Sequence, residues 1–217
     1  NTIAGIYQKH GDFENALDYN IRSLKIYQQI GDINGVGNSF RRIGVNYRYM
    51  GDYDKALDYF HRSNQITEEQ GNKNLISRSL TSLGICYYES SYDEDVYLTY
   101  VNNQFKVIEY LKKSISIKKE IGVEEVDLLW EKTWIFLSYK NLEIEYDLQE
   151  INMFLQTRTN HFLLDYRLFT LLEDTSYLET AYNQIQETAD NLEPDVSAKF
   201  LSYPIPSAIV EEWEKVK

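Results

Sequence analysis

The stretch FRRIGVNYRYMGDYDKALDYF, residues 40–60, decides the architecture of this chain. Its apolar residues recur every three to four positions, which predicts two short amphipathic helices. Between them, Gly51 is suited to end the first helix and Asp52 to cap the second. Neither helix can bury its apolar face alone, so the pair must stack on neighbours.

The same helix pair recurs forty residues upstream and forty residues downstream. In the first helix, an apolar residue, a small residue and a tyrosine return at fixed spacing: Ile3, Ala4 and Tyr7; Ile43, Gly44 and Tyr47; Leu83, Gly84 and Tyr87. In the second helix, the matching residues are Ala16, Leu17, Asp18 and Tyr19, and Ala56, Leu57, Asp58 and Tyr59. Many matches at one offset predict a solenoid of stacked repeats.

These residues resemble the tetratricopeptide repeat. The family's order of Trp, Leu-Gly, Tyr, Ala and Phe is matched by Phe40, Ile43, Gly44, Tyr47, Ala56 and Phe60. The Trp position holds Phe or Leu here, and the usual closing Pro is absent. Each unit is about six residues longer than the standard of roughly 34, as in the long repeats of bacterial signalling and scaffold proteins. The resemblance is strong over residues 1–122 and fades beyond.

The resemblance implies an all-α fold, a right-handed α-solenoid of stacked antiparallel helix pairs with C-terminal capping helices. The predicted repeats cover residues 1–158, in units of about 1–32, 33–72, 73–123 and a degenerate 124–158. The C-terminal helical cap is predicted over 159–217. The first helix lacks the residues that should begin it. We therefore expect either a chain cut from a longer protein or a solenoid without its N-terminal cap.

The third unit matches the second only after eleven extra residues, which places an insert at about 91–102, SYDEDVYLTYVN. The insert is rich in tyrosine and acid, and we predict a loop. Its acidic run, Asp93 to Asp95, lacks the Gly and the distal Glu that a calcium-binding loop needs. The loop is therefore either a solvated acidic surface or a contact with a partner.

Beyond the insert, apolar residues at helical spacing predict five further helices in addition to the first helix of the degenerate unit. They are expected from about 147 to 155, over 160–173, over 176–191, over 195–203 and from 207 to 213. Because Pro disfavours helix in the residue before it, residues 203–206 are predicted to be extended. Ser207 is then the predicted cap of the last helix.

Charge and cysteine content limit the class of partner. The formal net charge of −12 repels nucleic acid phosphates and anionic membranes. The sole cysteine, Cys86, cannot form an intramolecular disulfide and fits a reducing compartment. No apolar run approaches the length of a membrane span, and the N-terminus shows no signal-peptide pattern. We therefore expect a cytoplasmic protein with no direct nucleic-acid partner and no membrane insertion.

No arrangement typical of catalysis is present in the sequence. His10, His61 and His161 are far apart and share no helix face with acids at ligand spacing. No glycine-rich phosphate loop occurs. Cys86 lies on a core-facing helix, where a small buried cysteine is common. The sequence therefore predicts no enzymatic activity, no metal site and no cofactor.

Positive charge is concentrated in the first helix of the second unit, where residues 37–50 hold three arginines and no acid. A stripe beside its core face has equivalents in the next two units: Asn38, Arg41, Val45 and Arg48; Arg78, Thr81, Ile85 and Tyr88; Leu129, Lys132, Phe136 and Tyr139. First helices line a concave groove in the tetratricopeptide family. The resemblance therefore implies that ten residues of this stripe, all except Leu129 and Tyr139, contact a bound peptide.

These features predict a non-catalytic protein–protein interaction module, a scaffold or adaptor, whose groove accepts an acidic segment or a C-terminal carboxylate. Arginine suits this role because its guanidinium makes forked bonds to carboxylates. The arginines could instead simply pair with acids from adjacent second helices. An alternative function is a peptide-sensing regulatory domain that controls an attached enzymatic or transcriptional output domain. Charge reversal of Arg48 to Glu is expected to weaken peptide binding and leave the fold intact.

Overall fold

The computed structural model describes residues 2–91, 97–147 and 161–217, and within these ranges it contains helices and no strand. The helices are α1 (Thr2–Lys9), α2 (Phe13–Ile30), α3 (Ile33–Tyr49), α4 (Tyr53–Glu69), α5 (Lys73–Ser90), α6 (Tyr97–Glu120), α7 (Leu129–Asn141), α8 (Phe162–Leu172), α9 (Thr175–Asp190), α10 (Pro194–Ser202) and α11 (Pro204–Val216). A 3-10 turn, Glu125–Leu128, precedes α7.

Consecutive helices pack against each other from α1 to α7, and the first helices of successive pairs also touch, α3 with α5 and α5 with α7. This order of contacts confirms the predicted all-α solenoid of stacked helix pairs. The predicted turn after α3 is also confirmed, since the Asp52 side chain accepts a hydrogen bond from the Lys55 backbone N–H at 3.2 Å. Asp52 thereby satisfies one of the free amides at the start of α4.

A close approach of helices explains the small residue in each first helix. A Cβ at Gly44 would lie 2.7 Å from Cε1 of Phe60, so any larger residue would push α3 and α4 apart. Gly84 meets Leu111 in the same way, with 2.7 Å from such a Cβ to Leu111 Cγ. Phe60 and Leu111 are both fully buried. The second and third helix pairs are therefore held at short range by a glycine facing a large apolar side chain.

A stacked tyrosine pair also joins the two helices of each unit. The ring centroids are 5.5, 5.6 and 5.7 Å apart in the three pairs Tyr7 with Tyr19, Tyr47 with Tyr59, and Tyr87 with Tyr110. The first helices keep the forty-residue offset, whereas Tyr110 follows Tyr59 by 110 − 59 = 51 residues. The eleven extra residues thus lie between α5 and the part of α6 that packs on it.

The predicted loop over 91–102 is wrong for its second half, because α6 begins at Tyr97. No glycine or proline interrupts residues 97–102, so the helix extends toward its N-terminus. Buried Gln104 anchors this extension by donating to Ser91 Oγ at 2.9 Å and accepting from Asn141 Nδ2 at 3.3 Å. The acidic run Asp93 to Asp95 lies outside the described residues.

The prediction of extended chain over 203–206 is also wrong. Tyr203 alone is extended, with φ −67° and ψ 151°, and α11 begins at Pro204. Pro204 and Pro206 occupy the first turn of the helix, where a missing N–H leaves no hydrogen bond unmade. Ser207 consequently lies inside α11 rather than at its cap, and its hydroxyl donates to Glu211 at 2.9 Å.

The other predicted C-terminal helices have mixed outcomes. The helices expected over 160–173 and 176–191 are confirmed as α8 and α9, with Asp174 capping α9 through the Ser176 amide. The short helix expected over 195–203 is confirmed as α10. The helix expected from 147 to 155 lies almost wholly outside the described residues.

The C-terminal segment, α10 and α11, returns to the turns of the first two helix pairs. Phe13 at the start of α2 packs against Tyr203, with ring centroids 5.2 Å apart. Lys199 forms an ion pair with Glu14, and Pro204 covers Gly51. One continuous buried cluster therefore includes residues from the repeats and from the predicted cap, among them Phe13, Tyr88, Leu111, Leu168 and Phe200.

Substitution of Gly11 tests this return. Gly11 has φ +73°, and a Cβ there would come within 2.9 Å of Phe200 Cγ, whereas Gly31 has φ +71° with nothing within 4 Å. Gly31→Ala should therefore lower the free energy of unfolding by about 1 kcal/mol, from the left-handed backbone alone. Gly11→Ala should lower it by about 1–3 kcal/mol more, because of the overlap. Urea denaturation followed by circular dichroism measures both, and equal losses would contradict the packing of Phe200 on this turn.

Candidate functional site

A cleft of about 250 Å³ lies across α3, α5 and α7, and we call it the arginine cleft. Six of the ten residues predicted for the peptide site line it: Arg41, Val45, Arg48, Arg78, Thr81 and Ile85. They converge because residues three to four apart share one helix face, and because α3 packs beside α5. The remaining walls are Ser82, Lys118, Trp130 and Glu131.

The other four predicted residues lie outside the cleft walls. Asn38 is next to it and accepts a hydrogen bond from Arg41 Nη2 at 3.3 Å. Tyr88 is fully buried against Trp134, with ring centroids 5.0 Å apart. Phe136 is also in the core. Lys132 pairs with Glu125 at 2.9 Å. The fourth unit thus does not continue the stripe in the predicted register.

The walls that the sequence did not predict come from α7 and from a second helix. Trp130 and Glu131 line the cleft in place of the expected Lys132 and Phe136, so α7 presents a different face from the one predicted. Lys118 lies on α6, a second helix, which the stripe did not include. The irregular spacing of the degenerate unit was the available sign that its register would differ.

Arg48 is part of the fold rather than of an open binding surface. Its Nη1 donates to both carboxylate oxygens of Glu89 at 2.9 Å, and both side chains are almost fully buried. Burial lowers the pKa of Arg48, but the charge and hydrogen bond of Glu89, together with the charges of Tyr49 and Cys86, outweigh burial and raise the pKa. Arg167 of α8 approaches the same carboxylate at 3.9 Å. The partner of Arg48 is thus a neighbouring first helix, not a second helix as the alternative interpretation held.

This geometry changes what charge reversal at Arg48 should do. Arg48→Glu would place two carboxylates together in the core, so we expect a loss of about 3–5 kcal/mol in the free energy of unfolding. The earlier expectation of an intact fold is therefore abandoned. The control is Arg22→Glu, whose exposed pair with Asp18 should change stability by less than about 1 kcal/mol. Thermal denaturation of both variants measures the difference, and similar melting temperatures would contradict a buried role for Arg48.

Three further arginines have no acidic partner among the described residues. No carboxylate of the described residues lies within 4.0 Å of Arg41, Arg42 or Arg78, which is against the interpretation that these side chains merely pair with neighbouring acids. The Nε atoms of Arg41 and Arg42 are buried and make no hydrogen bond. Burial, followed by the charges of Arg78 and Arg42, lowers the pKa of Arg41 to about 9. Burial and the charge of Arg78 also lower the pKa of Arg42.

The opposite wall of the cleft is neutralised internally. Glu131 is fully buried, and its Oε1 accepts from Lys118 Nζ at 2.5 Å and from Thr81 Oγ1 at 2.8 Å. Its Oε2 has no hydrogen-bond partner. Val45, Ile85 and Trp130 add apolar surface to the same walls. The cleft therefore combines uncompensated positive charge with an apolar wall.

A tetratricopeptide repeat family model matches residues 1–69 and 35–94. Residues 1–94 of this chain therefore belong to the tetratricopeptide repeat family. No curated protein matches it in sequence. Tetratricopeptide repeats are generally protein–protein interaction modules and typically non-catalytic, since stacked repeats create extended binding surfaces.

Other candidate sites offer little chemistry in the parts of the chain that the structure covers. Within those ranges, no group of three His, Cys, Asp or Glu side chains could hold a metal ion. No described helix is long and apolar enough to cross a membrane. Cys86 is fully buried, and burial raises the pKa of its thiol. Cys86 therefore contributes to packing in this tetratricopeptide repeat protein, as its place on a core-facing helix indicated.

The uncompensated charge of Arg41 predicts a stability gain on its removal. Its pKa of about 9 lies below the ordinary value of 12.5, so protonated Arg41 opposes folding at pH 7. Arg41→Met should therefore raise the free energy of unfolding by about 1 kcal/mol or more. Arg48→Met, the matched control, should lower it because Glu89 loses its closest cation.

Chemical denaturation at pH 7 and at higher pH checks the sign of the stability change in Arg41→Met and tests whether the charge of Arg41 causes it. The opposition to folding is complete below about pH 9 and shrinks as the pH rises above that value. The advantage of Arg41→Met should therefore shrink in the same direction. A variant less stable than the parent at pH 7 would show that Arg41 supports the fold.

Proposed function

We propose that the arginine cleft binds an acidic segment of a partner protein, so that this tetratricopeptide repeat protein acts as a non-catalytic scaffold or adaptor. The observation that carries the proposal is a set of three arginines with no acidic partner in the described part of the chain, two of which line one cleft. A buried or half-buried cation without a partner is unfavourable, and folding alone gives no reason for it. A bound carboxylate would supply the missing acceptors.

The cleft fits a side chain or a chain terminus of a partner. Arg78 is exposed at its edge and Arg41 is half-buried, so an incoming carboxylate meets Arg78 and Arg41 at different depths. Guanidinium groups bind carboxylates through paired hydrogen bonds, which fix orientation as well as charge. Val45, Ile85 and Trp130 can cover neighbouring apolar groups of the ligand. An acidic side chain and a C-terminal carboxylate both satisfy this arrangement.

The overall charge indicates recognition at short range. The net charge of −12 repels an acidic partner at a distance, and salt screens that repulsion beyond about 8–10 Å. The arginine cleft is then a local region of positive charge on a protein whose net charge is negative. A cytoplasmic location and a regulatory, peptide-sensing role stay predictions from the sequence.

Substitution of Arg78 tests the proposal. The probes are three degenerate heptapeptide libraries that differ only at the central residue, which is Glu, Gln or Lys. The Glu library should bind best, and Arg78→Glu should weaken its binding at least about tenfold, since a charge-assisted hydrogen bond contributes about 1.5–3 kcal/mol. Arg22→Glu is the control, because it makes the same charge change far from the cleft.

Fluorescence-based binding to the arrayed libraries measures these differences, and circular dichroism confirms that both variants fold. Exposed Arg78 has no ion-pair partner to lose, so its reversal should leave the fold intact. Equal binding of the three libraries, or equal binding by the two variants, would overturn the proposal.

A further inference from the structure

The geometry points to a phosphorylated protein segment, carrying phosphoserine, phosphothreonine or phosphotyrosine, as the ligand of the arginine cleft. This inference rests on the proposed function and narrows the chemical class of the partner. The inference is based on two comparisons. The positive charge and the free N–H donors of the cleft are each compared with what one carboxylate can neutralise or accept.

The charge in the cleft exceeds what one carboxylate can neutralise. Arg48 is balanced by Glu89, and Lys118 is balanced by Glu131. Arg41 and Arg78 stay uncompensated in the walls, and Arg42 lies close enough for the Arg78 charge to act on it. A glutamate side chain brings one negative charge. A phosphorylated side chain brings about 1.5 to 2 negative charges at neutral pH, which matches this excess more closely.

The free donors also exceed what one carboxylate can accept. Each guanidinium has five N–H donors in a fixed fork, and the structure gives Arg41 a single acceptor, Asn38, at 3.3 Å. The buried Nε atoms of Arg41 and Arg42 have none. A phosphate monoester presents three terminal oxygens and can bond several guanidiniums at once, whereas a carboxylate presents two.

The surroundings favour a protein as the source of the phosphate. A nucleic acid would bring a chain of phosphates against a surface with net charge −12, and the excess positive charge is confined to one cleft of about 250 Å³. A single phosphate on an otherwise ordinary segment avoids that repulsion. Val45, Ile85 and Trp130 can then contact the flanking side chains.

The test compares three degenerate peptide libraries with phosphoserine, Glu or Ser at the centre and identical flanking positions. Binding is measured for the parent chain, for Arg41→Gln and Arg78→Gln, and for Arg22→Gln as the control. The phosphoserine library should bind at least about tenfold more tightly than the Glu library, because one further charge-assisted hydrogen bond is worth at least that factor. Both cleft variants should remove the difference, and the control should keep it.

A nuclear magnetic resonance titration locates the binding. The Nε–H signal of Arg41 should shift on addition of the phosphoserine library, since Arg41 lines the cleft and its Nε has no acceptor among the described residues. The Nε–H signal of Arg22, which already pairs with Asp18 at the surface, should not shift.

The possible failures are distinguishable. Equal affinity for the phosphoserine and Glu libraries, with dependence on Arg41 and Arg78, would overturn the phosphate assignment and leave the proposed function in place. Binding of all libraries that ignores both cleft variants, or no binding at all, would overturn both. A single-stranded oligonucleotide that binds as tightly as the phosphoserine library would overturn the assignment to a protein.

Discussion

A carboxylate buried in an apolar core is stable only if cations pair with it. Glu89 is such a carboxylate, because its side chain is almost fully buried. Arg48 of α3 donates two hydrogen bonds of 2.9 Å to the Glu89 carboxylate, and Arg167 of α8 approaches the same carboxylate at 3.9 Å. The three residues come from the second helix pair, the third helix pair and the C-terminal region. The charge pairing around Glu89 thereby holds the repeats against the helices that follow them in the chain.

The arginines on α3 fall into two kinds, according to whether they pair with Glu89. Arg48 forms part of the buried core, whereas Arg41 and Arg42, both about two helical turns earlier, have no carboxylate within 4.0 Å in the described chain. Their charge is retained although it opposes folding, as the lowered pKa of Arg41 indicates. Side chains that lower the stability of the free protein are typical of binding surfaces, where a ligand supplies the interaction that the protein itself does not.

The C-terminal segment alters the usual independence of stacked repeats. In a simple solenoid each repeat contacts only its neighbours. Here Phe200 and Pro204 cover the glycine turns of the first and second helix pairs, and Tyr203 packs on Phe13. Residues nearly two hundred positions apart, such as Glu14 and Lys199, consequently form an ion pair. The chain closes on its own start, so the first two helix pairs are tied to each other through α10 and α11 as well as through direct stacking.

The sequence by itself determined the repeat, because the features that define a helix pair are local. Gly44 against Phe60, the Asp52 cap and the spacing of Tyr47 and Tyr59 are set by residues within one unit. Six residues of the cleft followed from the same regularity, since α3 and α5 obey one register. The tertiary structure alone decided the rest. The packing of α7 against α5 decided which residues face the cleft, and these are Trp130 and Glu131 rather than Lys132 and Phe136. Arg48 is buried with Glu89, forty-one positions away, whereas Arg78 is exposed, and such a long-range contact leaves no periodic signal in the chain.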